Sequence, residues 1–356
     1  MSVMDDHVAN AGRGPGGSRP TSSMTPALSV AARHVDGVPR SLDAAAALAA
    51  QPLGPEWADS IYVAGRLHAQ QREFAYLVHV IVAAGVPTVT VKVTELARGR
   101  TWIQDGSVPP DRFAWDDTTL SIRTADLGWT GDLHRQELVA RTPWGGLHLV
   151  LEAEGPVLYY AGTGAYAMLG RSQYHFALPR LRAAGALTVD GATVEVTGDG
   201  WLDRQIGRFS GPAARPIAFT WLGVDLPGGD QLAVWDCGFA GGTDEERETW
   251  ATLLHPDGRH EIVPVPPFAQ HPRRRWTSPA TGVAYGAGWT LTIPTLEAEL
   301  VVTVDPVDQE TVRVVDGVPS AAASYHQGVA TYRGTYRGST VTGVACVDQV
   351  GLGHAV

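Results

Sequence analysis

The sequence predicts an all-β protein made of two antiparallel β domains in tandem, each barrel-like or sandwich-like. Three observations support this prediction. The 356 residues include 41 glycines, 24 prolines and 11 tryptophans, a composition typical of turn-rich β proteins. Short runs of alternating apolar and polar residues recur between turn residues. A long amphipathic helical pattern is missing from the sequence.

Three regions follow one another along the chain. Residues 1–50 are rich in Gly, Ser, Ala and Pro, so we expect most of this N-terminal tail to be disordered. A short helix is expected within the tail over Leu42–Leu48. Residues 51–184 are predicted to form the first β domain and residues 185–356 the second.

Alternating runs give the predicted strands, and Gly, Pro and Asp residues give the turns between them. The predicted strands are Ile61–Leu67, Phe74–Val82, Val89–Val93, Leu120–Arg123, Leu138–Arg141, Leu147–Glu152, Ile217–Val224, Gln231–Phe239, Gly328–Tyr332 and Thr340–Val347. Asp190-Gly191 is predicted to turn a hairpin over Ala186–Val196. Leu226–Asp230 and His255–Gly258 are the other turns.

Composition and motifs exclude several classes of function. The net charge of −10 argues against a nucleic-acid partner, because phosphate binding needs a basic surface. Two cysteines without a CxxC spacing indicate neither a disulfide framework nor a cysteine metal site. Gly162–Ala167 resembles a dinucleotide fingerprint, but without a βαβ pattern around it we interpret it as a glycine loop. We therefore expect no cofactor and no metal.

The first residues of the chain and its apolar runs bear on its expected location. The first residues lack a basic segment followed by an apolar run, so no secretory signal is predicted. No apolar run approaches the ~20 residues that a membrane helix needs. We expect a cytoplasmic protein, and a homodimer is compatible with the sequence.

The stretch Gly198–Gly207 carries the most specific chemical signal. Trp201 and Asp203 are two residues apart on a predicted strand, so their side chains point to the same face. A carboxylate beside a large aromatic side chain in an apolar framework can orient or protonate an apolar substrate. The structural alternatives are that Trp201 is a core residue and that Asp203 pairs with Arg204 or Arg180.

Several segments resemble the carotenoid 1,2-hydratase (hydroxyneurosporene synthase) and AttH-like family. Glu56-Trp57 followed by Ile61–Leu67 resembles the family's E-W-W-Y-x-x-G-x-L opening. Tyr174–Leu181, the hairpin and Gly200–Gln205 resemble its Y-Y-S-x-P-x-L … G-x-x-W-[LM]-D-[RH]-[EQ]-W-G block. Two further matches follow in the expected order, Phe219–Val224 and Tyr325–Gly328. The resemblance extends from Glu56 to the C-terminus, and its Trp-Leu-Asp block is the specific part.

The resemblance implies two lipocalin-like β domains with a ligand cavity at or near their junction. The family includes carotenoid hydratases, kievitone-hydratase-like proteins, and cyclases that form rings by Diels–Alder chemistry on polyketide polyenes. In the hydratases the aspartate that matches Asp203 is the candidate acid. This chain departs from the pattern: Ala58 and Ile206 stand at tryptophan positions, and Gln327 stands where glutamate is common.

The leading hypothesis is a cofactor-independent cyclase or isomerase that folds a polyene-like, polyketide-like metabolite in an apolar pocket between the two domains. Ala58 and Ile206 favour it because smaller side chains reshape the expected cavity. The candidate catalytic residues are Asp203, Trp201, Tyr174, His175 and Gln205. The candidate substrate-binding residues are Glu56, Trp57, Trp221, Trp235 and Tyr325.

Two alternatives stay open at this point. One is a hydratase or dehydratase of an isoprenoid or polyene alkene that uses Asp203 as general acid. The other is a non-catalytic carrier of an apolar ligand. The fold alone does not choose among them.

Overall fold

Glycine-containing turns divide the chain into antiparallel strands. In the turn between the two longest strands, Asp190 has a φ of 52° and Gly191 a φ of 77°, the left-handed pair that a type I′ hairpin turn requires. The computed structural model describes residues 34–35, 38–39, 42–208 and 215–354. Nearly all regular structure in these residues is strand, so the all-β prediction is confirmed.

Two short strands and a single helical turn come before the first large sheet. They are β1 (His34–Val35), β2 (Val38–Pro39) and α1 (Ala44–Ala47). The helix lies within the predicted Leu42–Leu48, and the side chain of Asp43 caps it by accepting a hydrogen bond from the backbone N–H of Ala46 at 3.1 Å. The rest of the predicted tail up to residue 41 lies outside the described residues.

The first large sheet has 13 strands. They are β3 (Trp57–Ala69), β4 (Arg72–Ala83), β5 (Val86–Glu95), β6 (Arg100–Ser107), β7 (Ala114–Trp115), β8 (Leu120–Arg123), β9 (Leu127–Gly131), β10 (Arg135–Thr142), β11 (Gly145–Ala153), β12 (Leu158–Tyr159), β13 (Ala165–Met168), β14 (Arg171–Val189) and β15 (Ala192–Arg208). All pairs are antiparallel, and β3 lies between β4 and β15.

The second large sheet has 10 strands. They are β16 (Ile217–Asp225), β17 (Gln231–Phe239), β18 (Glu248–Leu254), β19 (His260–Pro264), β20 (Arg274–Thr277), β21 (Ala284–Ile293), β22 (Ala298–Val304), β23 (Glu310–Thr311), β26 (Tyr325–Tyr336) and β27 (Ser339–Val350). A separate hairpin is formed by β24 (Val314–Val315) and β25 (Val318–Pro319). Short 3-10 helices are Pro110–Arg112, Tyr160–Gly162, Pro227–Gly229, Asp244–Glu246, Pro294–Leu296 and Leu352–His354.

The change from one sheet to the other comes later in the chain than the sequence suggested. The expected boundary between residues 184 and 185 falls inside β14, which is a single strand of 19 residues. Its partner β15 continues the same sheet to Arg208, and the second sheet begins at Ile217. Gly185 suggested a strand start, but it is paired in mid-strand with Leu149 on β11 and Val196 on β15.

Apolar side chains form three layers. One face of the first sheet carries a core that includes Ile61, Phe74 and Leu202, and one face of the second carries a core that includes Leu222 and Leu300. The remaining faces of β3, β14, β15, β16 and β17 meet in a third cluster between the two sheets, which we call the interface cluster. Its members are Tyr62, Ala64, Leu77, Leu158, Tyr160, Met168, Ala177, Trp201, Trp221, Ala233, Trp235, Cys237 and Leu254.

Polar contacts also join the two sheets. Arg66 on β3 donates from Nη2 to the carbonyl oxygen of Ala330 at 3.0 Å. Lys92 on β5 donates to the carbonyl oxygen of Gln327 at 2.6 Å. Strand β26 therefore lies along the first sheet, packed against β3 and β4. Since the strands alternate, the residues of β3 and β15 that do not enter the first core are directed at this interface.

Candidate active site

A buried carboxylate lies at the centre of the interface cluster. Asp203 has a side chain that is 2% exposed. Its Oδ2 accepts a hydrogen bond from the hydroxyl of Tyr62 at 2.7 Å. Its Oδ1 accepts from the hydroxyl of Tyr160 at 2.9 Å and from Nε1 of Trp201 at 3.2 Å. Both oxygens are therefore engaged by side-chain donors, and the carboxylate is the acceptor in each bond.

Strand register explains how these side chains meet. Trp201 and Asp203 share the interface face of β15, as the two-residue spacing predicts. Asp203 pairs with Tyr62 on β3 and with Ala177 on β14, and the alanine leaves room above the sheet. Tyr160 enters from the 3-10 helix Tyr160–Gly162, which follows β12.

His175 completes one side of this arrangement. Its ring stacks on the ring of Tyr160, with centroids 3.7 Å apart and an interplanar angle of 17°. The hydroxyl of Tyr166 lies 3.2 Å from His175 Nδ1. Nε2 lies 3.2 Å from Oδ1 of Asp203, but it makes no hydrogen bond with any described residue. The imidazole is thus held beside the carboxylate without being bonded to it.

Tryptophans from the second sheet close the site. Trp221 donates from Nε1 to the hydroxyl of Tyr160 at 3.1 Å, and its ring meets that of Trp201 edge-on at 5.3 Å. Trp235 lies 5.9 Å from the ring of His175 and 6.0 Å from that of Tyr160. The carboxylate of the first sheet is therefore enclosed by aromatic rings from both sheets.

The tyrosines of the site are held in their neutral form. Burial, together with the nearby charge of Asp203, raises the pKa of Tyr62 and of Tyr160 well above the usual value. Burial, with a smaller effect from Asp203, likewise raises the pKa of Tyr166. Because neutral hydroxyls keep their protons, these side chains act as hydrogen-bond donors over the physiological pH range.

Asp203 forms no ion pair with an arginine among the described residues, so neither Arg204 nor Arg180 is its partner. Arg204 points to the opposite face of β15 and forms a buried ion pair with Asp59. It also donates to the carbonyl oxygen of Ala49 at 2.8 Å. Arg180 lines a cavity of about 160 Å³ that lies beside Trp201, together with Arg66, Asp199, Gly200 and Cys346.

Five of the predicted site residues meet in the interface region. They are Asp203, Trp201, His175, Trp221 and Trp235. Gln205 lies next to them on β15, where its Nε2 donates to Oε1 of Gln173 at 3.1 Å. The roles predicted for these residues stay predictions.

Three predicted residues lie elsewhere on the first sheet. Trp57 and Tyr174 belong to the first core, where their rings stack with centroids 6.0 Å apart. Trp57 also lines a separate cavity of about 480 Å³ with Phe113 and Trp115. Glu56 is partly exposed at the residue before β3. Since β3 and β14 alternate, Trp57 and Tyr174 face away from Asp203.

Tyr325 lies at a different part of the interface between the sheets. Its hydroxyl is 3.1 Å from Oγ1 of Thr90 on β5, and the guanidinium of Arg313 lies 5.1 Å from its ring centroid. Burial raises its pKa to about 12, against the opposing effect of Arg313. The structure therefore places Tyr325 in a group separate from Asp203.

Three tyrosines of the site are not among the residues predicted from the sequence. Tyr62 lies in a predicted strand, and its position opposite Asp203 follows only from the β3–β15 register. Tyr160 lies two residues before the glycine loop Gly162–Ala167, and Tyr166 lies within that loop. The available signal was a pair of tyrosines around a glycine turn.

Ala58 and Ile206, the two smaller residues at the family's tryptophan positions, lie on different faces of the first sheet. Ile206 is 1% exposed and packs in the first core with Leu202, so it does not border Asp203. Ala58 lies on the interface face of β3, where it pairs with Gly207 on β15. Only Ala58 therefore bears on the space between the sheets.

Within residues 42–208 and 215–354, no group of three or more His, Cys, Asp or Glu side chains is placed to hold a metal ion. In the same part of the chain no helix has the length and hydropathy needed to cross a membrane.

Known structures share this fold. A putative AttH from Nitrosomonas europaea superposes with a TM-score of 0.69 at 20% identity, covering 83% of this chain and 92% of its own. Kievitone hydratase from Nectria haematococca gives a TM-score of 0.68 at 20% identity, over 82% of this chain and 88% of its own. CghA, solved with Sch210972, gives 0.54 at 16% identity, over 83% and 89%.

The sequence comparisons agree with the resemblance noted above. No curated protein sequence matches the chain. The sequence profile of the AttH-like family matches residues 64–348. The match covers most of both sheets and includes Asp203 and Asp348, so this chain belongs to the AttH-like family.

Proposed function

We propose that this protein is a cofactor-independent cyclase or isomerase of a polyene-like, polyketide-like metabolite that binds between the two sheets. The observation that carries the proposal is the interface site itself. A carboxylate with both oxygens bound by side-chain donors is enclosed by aromatic rings from both sheets. Such a site offers apolar ring faces in fixed positions.

These features suit an intramolecular reaction of an apolar chain. A pericyclic ring closure rearranges bonds within one molecule, so it adds no atoms and releases none. The enzyme has to hold the reacting carbons together, and orientation of this kind can lower a barrier by ~7–11 kcal/mol in favourable cases. Aromatic side chains such as Trp221 and Trp235 supply surface for an unsaturated chain.

Asp203 has a positioning role in this proposal. It accepts hydrogen bonds from Tyr62, Tyr160 and Trp201, and so it fixes three aromatic rings of the site. A general acid would instead need a free oxygen that carries a proton towards the substrate. The geometry of Asp203 favours the first role.

A hydratase or dehydratase is the second candidate, and the position of His175 favours it. Its Nε2 lies 3.2 Å from Asp203 Oδ1 with no hydrogen bond between them. An imidazole beside a carboxylate can transfer a proton to and from water. In this alternative Asp203 protonates an alkene carbon, and water adds to the resulting cation and returns a proton to the carboxylate.

The metabolites of the source strain with and without the gene distinguish these candidates. If the accumulated precursor and the lost product are isomers, the protein is a cyclase or isomerase. A difference of one water supports the hydratase. Recovery of an unchanged ligand bound in equal proportion to the purified protein, with no metabolite altered, would show a carrier and contradict both.

Tyr160→Phe tests the site within the identified reaction. It removes a donor to Asp203 and an acceptor for Trp221, so we expect kcat to fall about 10-fold or more. Tyr159→Phe is the matched control, because Tyr159 uses its backbone N–H in its contact with His260 and its hydroxyl lies outside the network. Equal rates for both variants would place the reaction elsewhere.

A further inference from the structure

A second buried carboxylate lies at the same interface, on the opposite sheet. Asp348 on β27 pairs with Gln327 on β26 and with Trp221 on β16. Gln327 donates from Nε2 to Asp348 Oδ2 at 2.8 Å. Both side chains are more than nine-tenths buried. The remaining oxygens, Asp348 Oδ1 and Gln327 Oε1, have no hydrogen-bond partner among the described residues.

The charged and titratable groups around Asp348 come from three strands of the first sheet. Asp203 on β15 and Tyr62 on β3 are near enough to interact electrostatically with it. Lys92 on β5 donates to the carbonyl oxygens of Gln309 at 2.7 Å and Gln327 at 2.6 Å. Its third contact, at 3.3 Å, is to Oγ1 of Thr311. These three acceptors use the donors of Lys92, and no ion pair joins it to Asp348 in the described chain.

This environment moves the loss of the Asp348 proton from the acid range to near neutral pH. Burial raises its pKa to about 7, and the charge of Asp203 adds to the effect, while the Gln327 hydrogen bond and Lys92 oppose it. Burial lowers the pKa of Lys92 to about 7. Asp203 accepts three hydrogen bonds, whereas Asp348 has one amide partner and a free oxygen. Two carboxyl groups in such different environments divide the acceptor and donor roles between them.

We propose that Asp348 donates a hydrogen bond from its free oxygen to a carbonyl oxygen of the bound substrate. The substrate is then a polyene that is conjugated to this carbonyl group. This inference rests on the proposed function. A hydrogen bond to the carbonyl withdraws electron density from the conjugated alkenes, and it is strong in a water-poor interface. A carboxylate ligand is disfavoured here, because the charge of Asp203 would repel it.

Gln327 is the positioning residue in this arrangement. Its amide N–H groups leave Oδ2 as the bonded oxygen and Oδ1 as the free one. In the family that this sequence resembles, a glutamate is common at the position of Gln327. A glutamate there would place a second carboxyl group against Asp348. We therefore expect Gln327→Glu to weaken carbonyl binding while Gln327→Met leaves Asp348 protonated but less well oriented.

Binding of a matched pair of probes tests the inference without turnover. β-Ionone carries a ketone conjugated to two alkenes, and the matched probe is the hydrocarbon with the same carbon skeleton and no oxygen, which cannot accept a hydrogen bond. We expect the wild type at about pH 6 to bind β-ionone about 10-fold more tightly than this hydrocarbon, which is the value of one hydrogen bond. This preference should decline through about pH 7 as Asp348 loses its proton.

Variants at Asp348 give the sharper comparison. Asp348→Asn keeps an N–H donor, so we expect the preference to persist and to become independent of pH. Asp348→Leu should abolish it. Asp316→Asn is the control, since it makes the same change in the turn between β24 and β25. At about pH 6 the infrared spectrum of the wild type minus that of Asp348→Asn should contain a protonated carboxyl band, and this band should decline as the pH rises through about 7.

The outcomes separate this inference from the proposed function. If Asp348→Leu keeps the preference, or the protonated carboxyl band is missing, the inference is wrong even where the wild type cyclises its substrate. If the metabolite comparison gives no isomeric product, the proposed function fails, and the inference fails with it. In the identified reaction, Asp348→Leu should lower kcat about 100-fold, with partial rescue by Asp348→Asn.

Discussion

Asp203 and Asp348 are two buried carboxyl groups at one interface, and they have opposite surroundings. Asp203, on the first sheet, accepts hydrogen bonds from Tyr62, Tyr160 and Trp201. Asp348, on the second, accepts one from Gln327 and has a free oxygen. Burial alone therefore does not decide what a carboxyl group does; the number of donors directed at it does.

The two carboxyl groups have different effects on the free energy of the folded protein. The donors around Asp203 offset its loss of hydration, so it contributes to the stability of the interface. Asp348 lacks most of that compensation and raises the free energy of the folded state when it ionises. A residue that lowers stability is usually retained for function rather than for the fold.

The largest expected effect is that of Asp203→Leu. It leaves the donors of Tyr62, Tyr160 and Trp201 buried without their acceptor, so the free energy of unfolding should fall by about 3–6 kcal/mol. Urea unfolding measures this change. Asp348→Leu is the matched substitution. It leaves one donor, that of Gln327, without its acceptor, and it also removes a carboxyl group that is costly when ionised, so the two effects offset each other and we expect a much smaller change than for Asp203→Leu. Similar losses for the two variants would remove the distinction between the two carboxyl groups.

A smaller effect depends on pH. The pKa of Asp348 is about 7 in the folded protein and 3.8 ordinarily. Between these values the unfolded chain loses its proton first, so stability falls as pH rises through this window. Asp348→Asn removes the dependence, and at about pH 8 it should be more stable than the wild type by about 1–4 kcal/mol.

Unfolding of both proteins at several pH values measures this difference. Below about pH 4 Asp348 is protonated in both states, so the two proteins should then differ little. Lys92 acts in the opposite direction above pH 7, because its pKa falls from 10.5 to about 7 on folding. A constant difference across the acid range would show that Asp348 has no raised pKa.

The smallest expected effect sharpens the account of Asp203. Tyr62→Phe removes one of its three donors and keeps the ring, so we expect a loss of about 1 kcal/mol in the free energy of unfolding. Tyr159→Phe, whose hydroxyl lies outside the network, should lie within about 0.5 kcal/mol of the wild type. Thermal or urea unfolding measures both, and equal stabilities would mean that the Tyr62 bond adds nothing.

Local sequence patterns predicted much of the fold. Leu120–Arg123 and Gln231–Phe239 are strands with the predicted ends, because alternation and turn residues are local signals. Asp190-Gly191 gave the hairpin for the same reason. The strand β14 runs through the expected boundary at residue 184, and its glycine gave no local signal that the strand continues, because a glycine inside a long strand resembles one that ends it.

Only part of the candidate site could be predicted from the sequence. The spacing of Trp201 and Asp203 predicted their shared face, since it depends on one strand. Tyr62 and Tyr160 depend on pairing between distant segments and on a 3-10 helix, which no local pattern encodes. Trp57 and Tyr174 were expected near Asp203 because of their place in family motifs, but strand alternation directs them to the first core.

The alternation along β15 has a consequence for how proteins of this design change over time. Leu202 and Ile206 lie in the first core, while Trp201 and Asp203 face the interface. Substitutions at positions 201, 203 and 205 therefore change the surface that faces the second sheet, and those at positions 202 and 206 change the packing of the first core. A library randomised at the first set would vary the chemistry of the interface while the first core stays as it is, but its members would need selection for stability as well, because Asp203 holds three buried donors.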